Sequence, residues 1–357
     1  MDTRLKSICS TALVILFAGS LSGAERVRVV STPRNGAVPD AEVDQNGSIH
    51  VAYVSGQDAY YVNSTDNGNT FSTPIRINAE PGSVHPPNMY RGPDVAVGKD
   101  GRVHVIWYVN AYQRKLPKDQ WGVFYSYLDR GQTAFVEGRN LNHKPSDNYS
   151  LAADDKGDVA VIWMAGKLLV ESSRDNGQTF ATSDAVPTAD PCECCASRAF
   201  LSKDGTLYIG YREKANNMRD MYLLARPKGE PTFSRQKISS TPWQITGCPM
   251  TGAFLTGAKN GPVMAWETKG QISYARLDPA LGISAPREIK AGAGKWPIAL
   301  AAPDGTVLVS WKNASTLSWQ LRDAKDKPVG EVQSKPGRNP HRHAGVITKD
   351  GDFLLID

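Results

Sequence analysis

One phrase recurs seven times along this chain: an apolar strand, a turn closed by glycine, then a second apolar strand that usually holds an aromatic. The copies read AEVDQNGSIHVAYV, VAVGKDGRVHVIWYV, LAADDKGDVAVIWM, AFLSKDGTLYIGYR, AFLTGAKNGPVMAWE, ALAAPDGTVLVSWK and GVITKDGDFLLID. Their turn glycines are Gly47, Gly101, Gly157, Gly205, Gly261, Gly305 and Gly351, spaced about 45–55 residues apart. Short strands repeating with that period predict a β-propeller, one blade per copy. Two more strand-like runs follow each hairpin, such as AYYVNST with PIRINA or VFYSYLD with AFVEGRN, and helical periodicity is nearly absent. The last unit stops after two strands at Asp357, and RVRVVST near the N-terminus is a spare strand able to complete it. The expected fold is all-β: one propeller over residues 25–357, seven blades with six as the alternative count. Closing the ring with the N-terminal strand would remove exposed sheet edges.

Residues 1–24 read as a signal peptide. Arg4 and Lys6 precede an apolar run around Ala12–Ala18, and small residues lead to a cleavage point near Ala24. The run is shorter than the roughly 18–20 residues of a membrane span, and no other segment is apolar enough to cross a bilayer. A periplasmic or secreted protein is expected. The net charge of +5 is dispersed, with no basic tract, so no nucleic-acid partner is expected.

A propeller gathers equivalent positions of every blade around one channel. The first strand of each blade is innermost and starts on the face away from the turn glycine. At those starts stand Val38–Asp40, Gly92–Asp94, Asn148–Ser150, Cys194–Ala196, Cys248–Met250, Trp296–Ile298 and His341–His343. The second strands return to the same face with Tyr108, Met164, Arg212, Glu213, Glu267 and Lys312. Long irregular stretches at 80–93, 186–198 and 335–343 also open there, where function concentrates.

The four cysteines beyond the signal segment, Cys192, Cys194, Cys195 and Cys248, all fall in or beside that set, with Met250, His341 and His343 at equivalent positions. Thiolate, thioether and imidazole donors suit a soft ion, copper or zinc. Four cysteines in an oxidising compartment equally form two disulfides, with three pairings open. Adjacent Cys194 and Cys195 rarely bond each other, so one of them is expected to reach Cys248. His341 and His343 also read as ordinary solvent-facing loop residues. Trp107, Trp163, Trp266 and Trp311 recur in second strands as blade packing, whereas Trp243 and Trp296 read as loop residues placed to contact a ligand.

Two further segments share the pattern S-x-D-x-G-x-T-F: Ser64 to Phe71 and Ser173 to Phe180. Decayed copies run from Asp129 to Phe135 and from Gly229 to Phe233. The pattern describes a tight turn whose Asp accepts loop N–H groups, whose Gly takes a positive φ and whose Phe packs on the blade. These segments resemble the Asp-box, or BNR, repeats, and through them the chain resembles the sialidase superfamily over essentially its whole length beyond the signal segment. The block DPCECC, NNMRD and WQITGCPMTG is similar to one found in bacterial proteins described as sialidase-like. The resemblance implies a carboxylate-binding arginine triad, a Tyr/Glu nucleophile pair and an Asp acid/base. Arg91 and Arg212 would supply two arginines, with Arg198, Arg219 or Arg342 as a third. Glu213 or Glu267 would polarise Tyr90 or Tyr211. Ala37-Val38-Pro39 lacks the arginine that starts the family's first inner strand, and Arg91-Gly92-Pro93-Asp94 of the second blade would substitute.

Three functions follow as expectations. The first is a soft-metal site at the channel face built from Cys192, Cys194, Cys195, Cys248, Met250, His341 and His343. The second is an exo-sialidase or other glycoside hydrolase using Arg91, Arg212, Glu213 and Glu267, its cysteines paired structurally. The third is a non-catalytic propeller that holds a glycan or protein through Trp243, Trp296 and Arg342. A monomer is expected in each case, with a metal ion, glycan or other small ligand at the channel face.

Overall fold

The computed structural model describes residues 26–87, 91–181, 184–259, 261–277 and 288–357. Residues 1–24, expected above to be a signal peptide, lie outside them, as do Met89 and Tyr90. The chain forms seven blades, six of four strands and one of three. The first blade shows the pattern: Ala37–Val43, Ile49–Ser55, Asp58–Ser64 and Ile75–Arg76 follow one another outward from the axis. The seven-blade count of the sequence holds.

The seventh blade differs in its third strand. Val27–Val30 pairs parallel with Phe353–Ile356, in register Val27 with Phe353 and Val30 with Ile356. The direction follows from where the chain goes next. After Val30 it must enter the inner strand of the first blade at Ala37, on the channel face, so it climbs as second strands do. Thr32 N–H donates to Asp357 O at 3.0 Å and Asp357 N–H to Val30 O at 3.0 Å, stitching the ring shut.

Why strands bury so completely is visible in the packing. Seven apolar clusters each combine residues of two adjacent blades, including one that joins the seventh to the first through Ile49, Val51, Leu354 and Ile356. Second strands are sandwiched on both faces, so they read as continuous apolar runs. Trp107, Trp163, Trp266 and Trp311 are at most 4% exposed, as expected of blade packing.

The two full S-x-D-x-G-x-T-F turns have the anticipated bonds. Asp66 accepts from Thr70 Oγ1 at 2.6 Å, Thr70 N at 2.9 Å and Ser64 Oγ at 2.7 Å. Asp175 repeats this with Thr179 and Ser173. Hydroxyl and backbone donors hold both carboxyls below the usual range, led by the Thr70 and Thr179 hydroxyls. Asn176 donates its N–H to Gly157 O at 2.9 Å, on the hairpin turn of its own blade, and its side-chain amide to Lys99 O at 3.1 Å, on that of the preceding blade. These turns therefore lie on the face opposite the long loops.

Candidate functional site: a four-cysteine cluster beside the channel mouth

Two loops of the open face carry the cysteines. The first runs along the end of the fourth blade's second strand, where Cys192 N–H donates to Arg212 O at 2.8 Å. It then turns tightly, with Cys195 N–H bonded to Cys192 O at 3.2 Å. The second loop crosses from the fourth blade to the fifth, tied by Arg219 N–H to Trp243 O at 2.7 Å and Ile245 N–H to Asn217 O at 2.9 Å. Gly252 lets the loops touch: a Cβ there would stand 1.7 Å from Ala196 O. No other residue type fits this approach.

The four Sγ atoms all lie within 4.8 Å of one another, the group of potential metal donors found among the described residues. Cys192 is joined to Cys195, and Cys194 to Cys248. The latter bond agrees with the expectation that Cys194 or Cys195 reaches Cys248. Across the pairs, Cys192–Cys194, Cys192–Cys248 and Cys195–Cys248 approach to 3.9, 4.0 and 3.9 Å. Four thiolates around one ion at about 2.3 Å make a tetrahedron with edges of about 3.8 Å. The same cluster thus suits two disulfides when oxidised and a tetrahedral ion when reduced. Cys192 and Cys195 are buried, while Cys194 and Cys248 are partly exposed. Arg219 Nη1 stands 3.7 Å from Cys192 Sγ.

The other anticipated ligands stand elsewhere. Met250 borders the cluster through its N–H, 3.4 Å from Cys248 Sγ. His343 is buried at the sixth and seventh blades, where Nε2 meets Ser310 Oγ at 2.8 Å. Burial first, and then the Lys312 cation, push its pKa down to about 3. His341 is shifted downward for the same two reasons. Lys312 itself is buried in an ion pair with Asp357. His343 Nε2 and the Asp357 carboxylate are thus already engaged by Ser310 and Lys312.

The residues singled out for glycoside hydrolysis are engaged internally. Arg212 is fully buried and donates to three carbonyls: Arg219 O at 2.6 Å, Glu267 O at 2.5 Å and Thr251 O at 3.3 Å. Burial brings its pKa down to about 10. Glu267 is spent on Thr251 Oγ1 at 2.6 Å and on Gly270 N–H. Glu213 accepts from Tyr211 OH at 2.8 Å and pairs with Arg235 at 2.6 Å. Trp243 lies against Arg212, whose Cζ is 5.1 Å from a ring centroid. Trp296 belongs to the strand Lys295–Ala301, not to a loop, and is 8% exposed at a bulge with φ 56°.

A charge cluster fills the channel mouth instead. Arg198 bonds Asp40 at 2.8 Å and Asp94 at 3.2 Å, while Arg342 bonds Asp94 at 2.9 Å and Pro93 O at 3.1 Å. Four blades contribute to this network. Below it, Glu42 accepts from Val97 N–H at 3.2 Å, and burial pushes its carboxyl up to about 8. Arg91 pairs with Asp147 at 3.0 Å and lies over Tyr108. The sequence offers Arg198 and Arg342 as alternatives for a third arginine, and Arg342 also as a ligand contact. Their aspartate partners sat in view at the equivalent positions of the first two blades.

No model of a known protein family and no curated protein matches this sequence. Solved structures do match its shape. An α-L-arabinanase of Penicillium chrysogenum complexed with arabinobiose is similar at a TM-score of 0.52 and 15% identity, over 83% of this chain and 97% of that one. An ulvan lyase bound to -[GlcA(1-4)Rha3S]- is similar at 0.51 and 13%, over 90% of each chain. A Hadza microbial sialidase is similar at 0.50 and 14%, over 84% of this chain and 65% of that one. At such identities the likeness establishes a fold, and that fold is a sialidase-like β-propeller.

Proposed function

We propose that this protein is an exported member of the Asp-box, sialidase-like propellers whose four-cysteine cluster, once reduced, binds a soft ion of the Cu(I) or Zn(II) type. The observation that supports it is the approach of four Sγ atoms to within 4.8 Å, with three unbonded contacts of 3.9–4.0 Å. Sulfur-only donors in a compact tetrahedron favour thiophilic ions over hard ones. Cys192, Cys194, Cys195 and Cys248 are the donors, Met250 borders them, and His341 and His343 belong to the sixth and seventh blades. Among the described residues no helix is long and apolar enough to cross a membrane. Reduced, metal-free protein should take up about one Zn(II) or Cu(I) per chain, measured by elemental analysis after desalting. The Cys195→Ser/Cys248→Ser variant should retain less than about a tenth of that. Full stoichiometry in the variant, or no uptake by the parent, would overturn the assignment.

A second reading, action on an acidic glycan, draws on the three arginines at the channel mouth and on the substrates of the similar structures. Its residue set is Arg91, Arg198 and Arg342, not Arg212, Glu213 and Glu267. A fluorogenic sialoside and a uronate-bearing oligosaccharide test it. Turnover that falls at least about a hundredfold in Arg342→Ala supports this reading, because bidentate contacts dominate carboxylate recognition. Absent turnover on both substrates removes it.

A further inference from the structure

The two disulfides lie side by side, each sulfur of one within 4.0 Å of a sulfur of the other. Here the outer pair, Cys194–Cys248, is partly exposed, and the inner pair, Cys192–Cys195, is 1% and 0% exposed. Cys248 Sγ is 3.9 Å from Cys195 Sγ and 4.0 Å from Cys192 Sγ, and Cys194 Sγ is 3.9 Å from Cys192 Sγ. An external thiol meets only the outer pair. The inner pair is reached through the outer one.

We propose that the four cysteines form a thiol–disulfide relay in which an external dithiol reduces Cys194–Cys248 and the electron pair passes to Cys192–Cys195. Exchange proceeds by thiolate attack on a disulfide sulfur, with expulsion of the other sulfur as thiolate. The substrate thiolate attacks Cys194 Sγ and releases Cys248. Its second thiol resolves the mixed disulfide, leaves as an oxidised dithiol and frees Cys194. The Cys248 thiolate then attacks Cys195 Sγ and breaks the Cys192–Cys195 bond. The departing charge falls on Cys192, where the Arg219 guanidinium stands 3.7 Å away. Cys194 next attacks Cys248 Sγ, restores the outer disulfide and expels Cys195. Two electrons and two protons move from the dithiol to Cys192 and Cys195, and no other oxidant is consumed. A second dithiol then reduces the outer pair and yields four thiols.

The relay needs no metal ion, so it is tested in excess chelator on oxidised full-length protein. Dithiothreitol is the probe, with timed alkylation and peptide mass spectrometry reading each cysteine. At one equivalent, thiols should appear first on Cys194 and Cys248 and then give way to thiols on Cys192 and Cys195. In Cys194→Ser/Cys248→Ser, reduction of the inner pair should slow by about a hundredfold or more. Cys192→Ala/Cys195→Ala keeps the outer disulfide and should be reduced at the parent's initial rate, which separates exchange from misfolding. Inner-pair reduction at an unchanged rate without the outer cysteines would overturn the relay, as would thiols that stay on Cys194 and Cys248 at one equivalent. Failure of the reduced protein to bind zinc or copper leaves these readouts untouched.

Discussion

Replacing Arg212 by Ala is expected to lower the stability of the folded ring by about 4–5 kcal/mol. The guanidinium is fully buried between the fourth and fifth blades and bonds three main-chain carbonyls. Truncation leaves Thr251 O, Arg219 O and Glu267 O without that donor, opens a cavity the size of the side chain and removes a buried cation that interacts with the Glu267 charge. Each lost bond to a charged donor costs about 1.5–3 kcal/mol, offset in part by relaxation of the loops. Arg212→Lys keeps the charge but cannot span three carbonyls, and should cost about 2 kcal/mol. Urea unfolding followed by tryptophan fluorescence reads both variants. An alanine variant within about 1 kcal/mol of the parent would show that Arg212 is dispensable to packing, and would return it to the list of ligand contacts.

Arg212 also shows where sequence reading reached its limit. Repetition made the blade count, the turn positions and the closing strand legible, because a period survives whatever each side chain does. It placed Cys192, Cys194, Cys195 and Cys248 on neighbouring loops for the same reason. Direction along the side chain is a different matter. The end of a second strand on the open face can send an arginine toward the channel or down between blades, and period alone does not distinguish them. Arg212 and Glu267 took the inward course. Trp296, a loop residue by the sequence, instead lies in the strand Lys295–Ala301, which absorbs Trp296-Pro297 at a bulge. His343, a candidate ligand by its position in the repeat, is instead engaged by Ser310 of the preceding blade. Partners supplied by another blade are invisible to a single repeat.

The channel mouth holds the other large effect. Arg198→Ala should cost about 3–4 kcal/mol at pH 7.5 and less than about 1 kcal/mol at pH 4. Asp40 and Asp94 are buried, and Arg198 bridges them. Burial raises the Asp40 pKa above its ordinary value, and Arg198 opposes that rise. An acid with a raised folded-state pKa keeps its proton in the folded ring after the unfolded chain has released it. Its contribution is therefore complete below the unfolded pKa and is lost as pH climbs through the folded one. Removing Arg198 lifts that folded pKa further and widens the window of loss upward. Toward pH 4 more of Asp40 is protonated in the variant, so less charge is left uncompensated. Adding Asp40→Asn to Arg198→Ala should recover most of the neutral-pH loss, because it removes the stranded carboxylate while an amide oxygen still accepts from Val95 N–H, now 3.0 Å from Asp40. Equal losses at both pH values would mean that Arg198 acts through packing alone. The predicted slope would mean that the arginines here are committed to the ring's own aspartates, so that an acidic sugar must displace Asp40 or Asp94 to bind them.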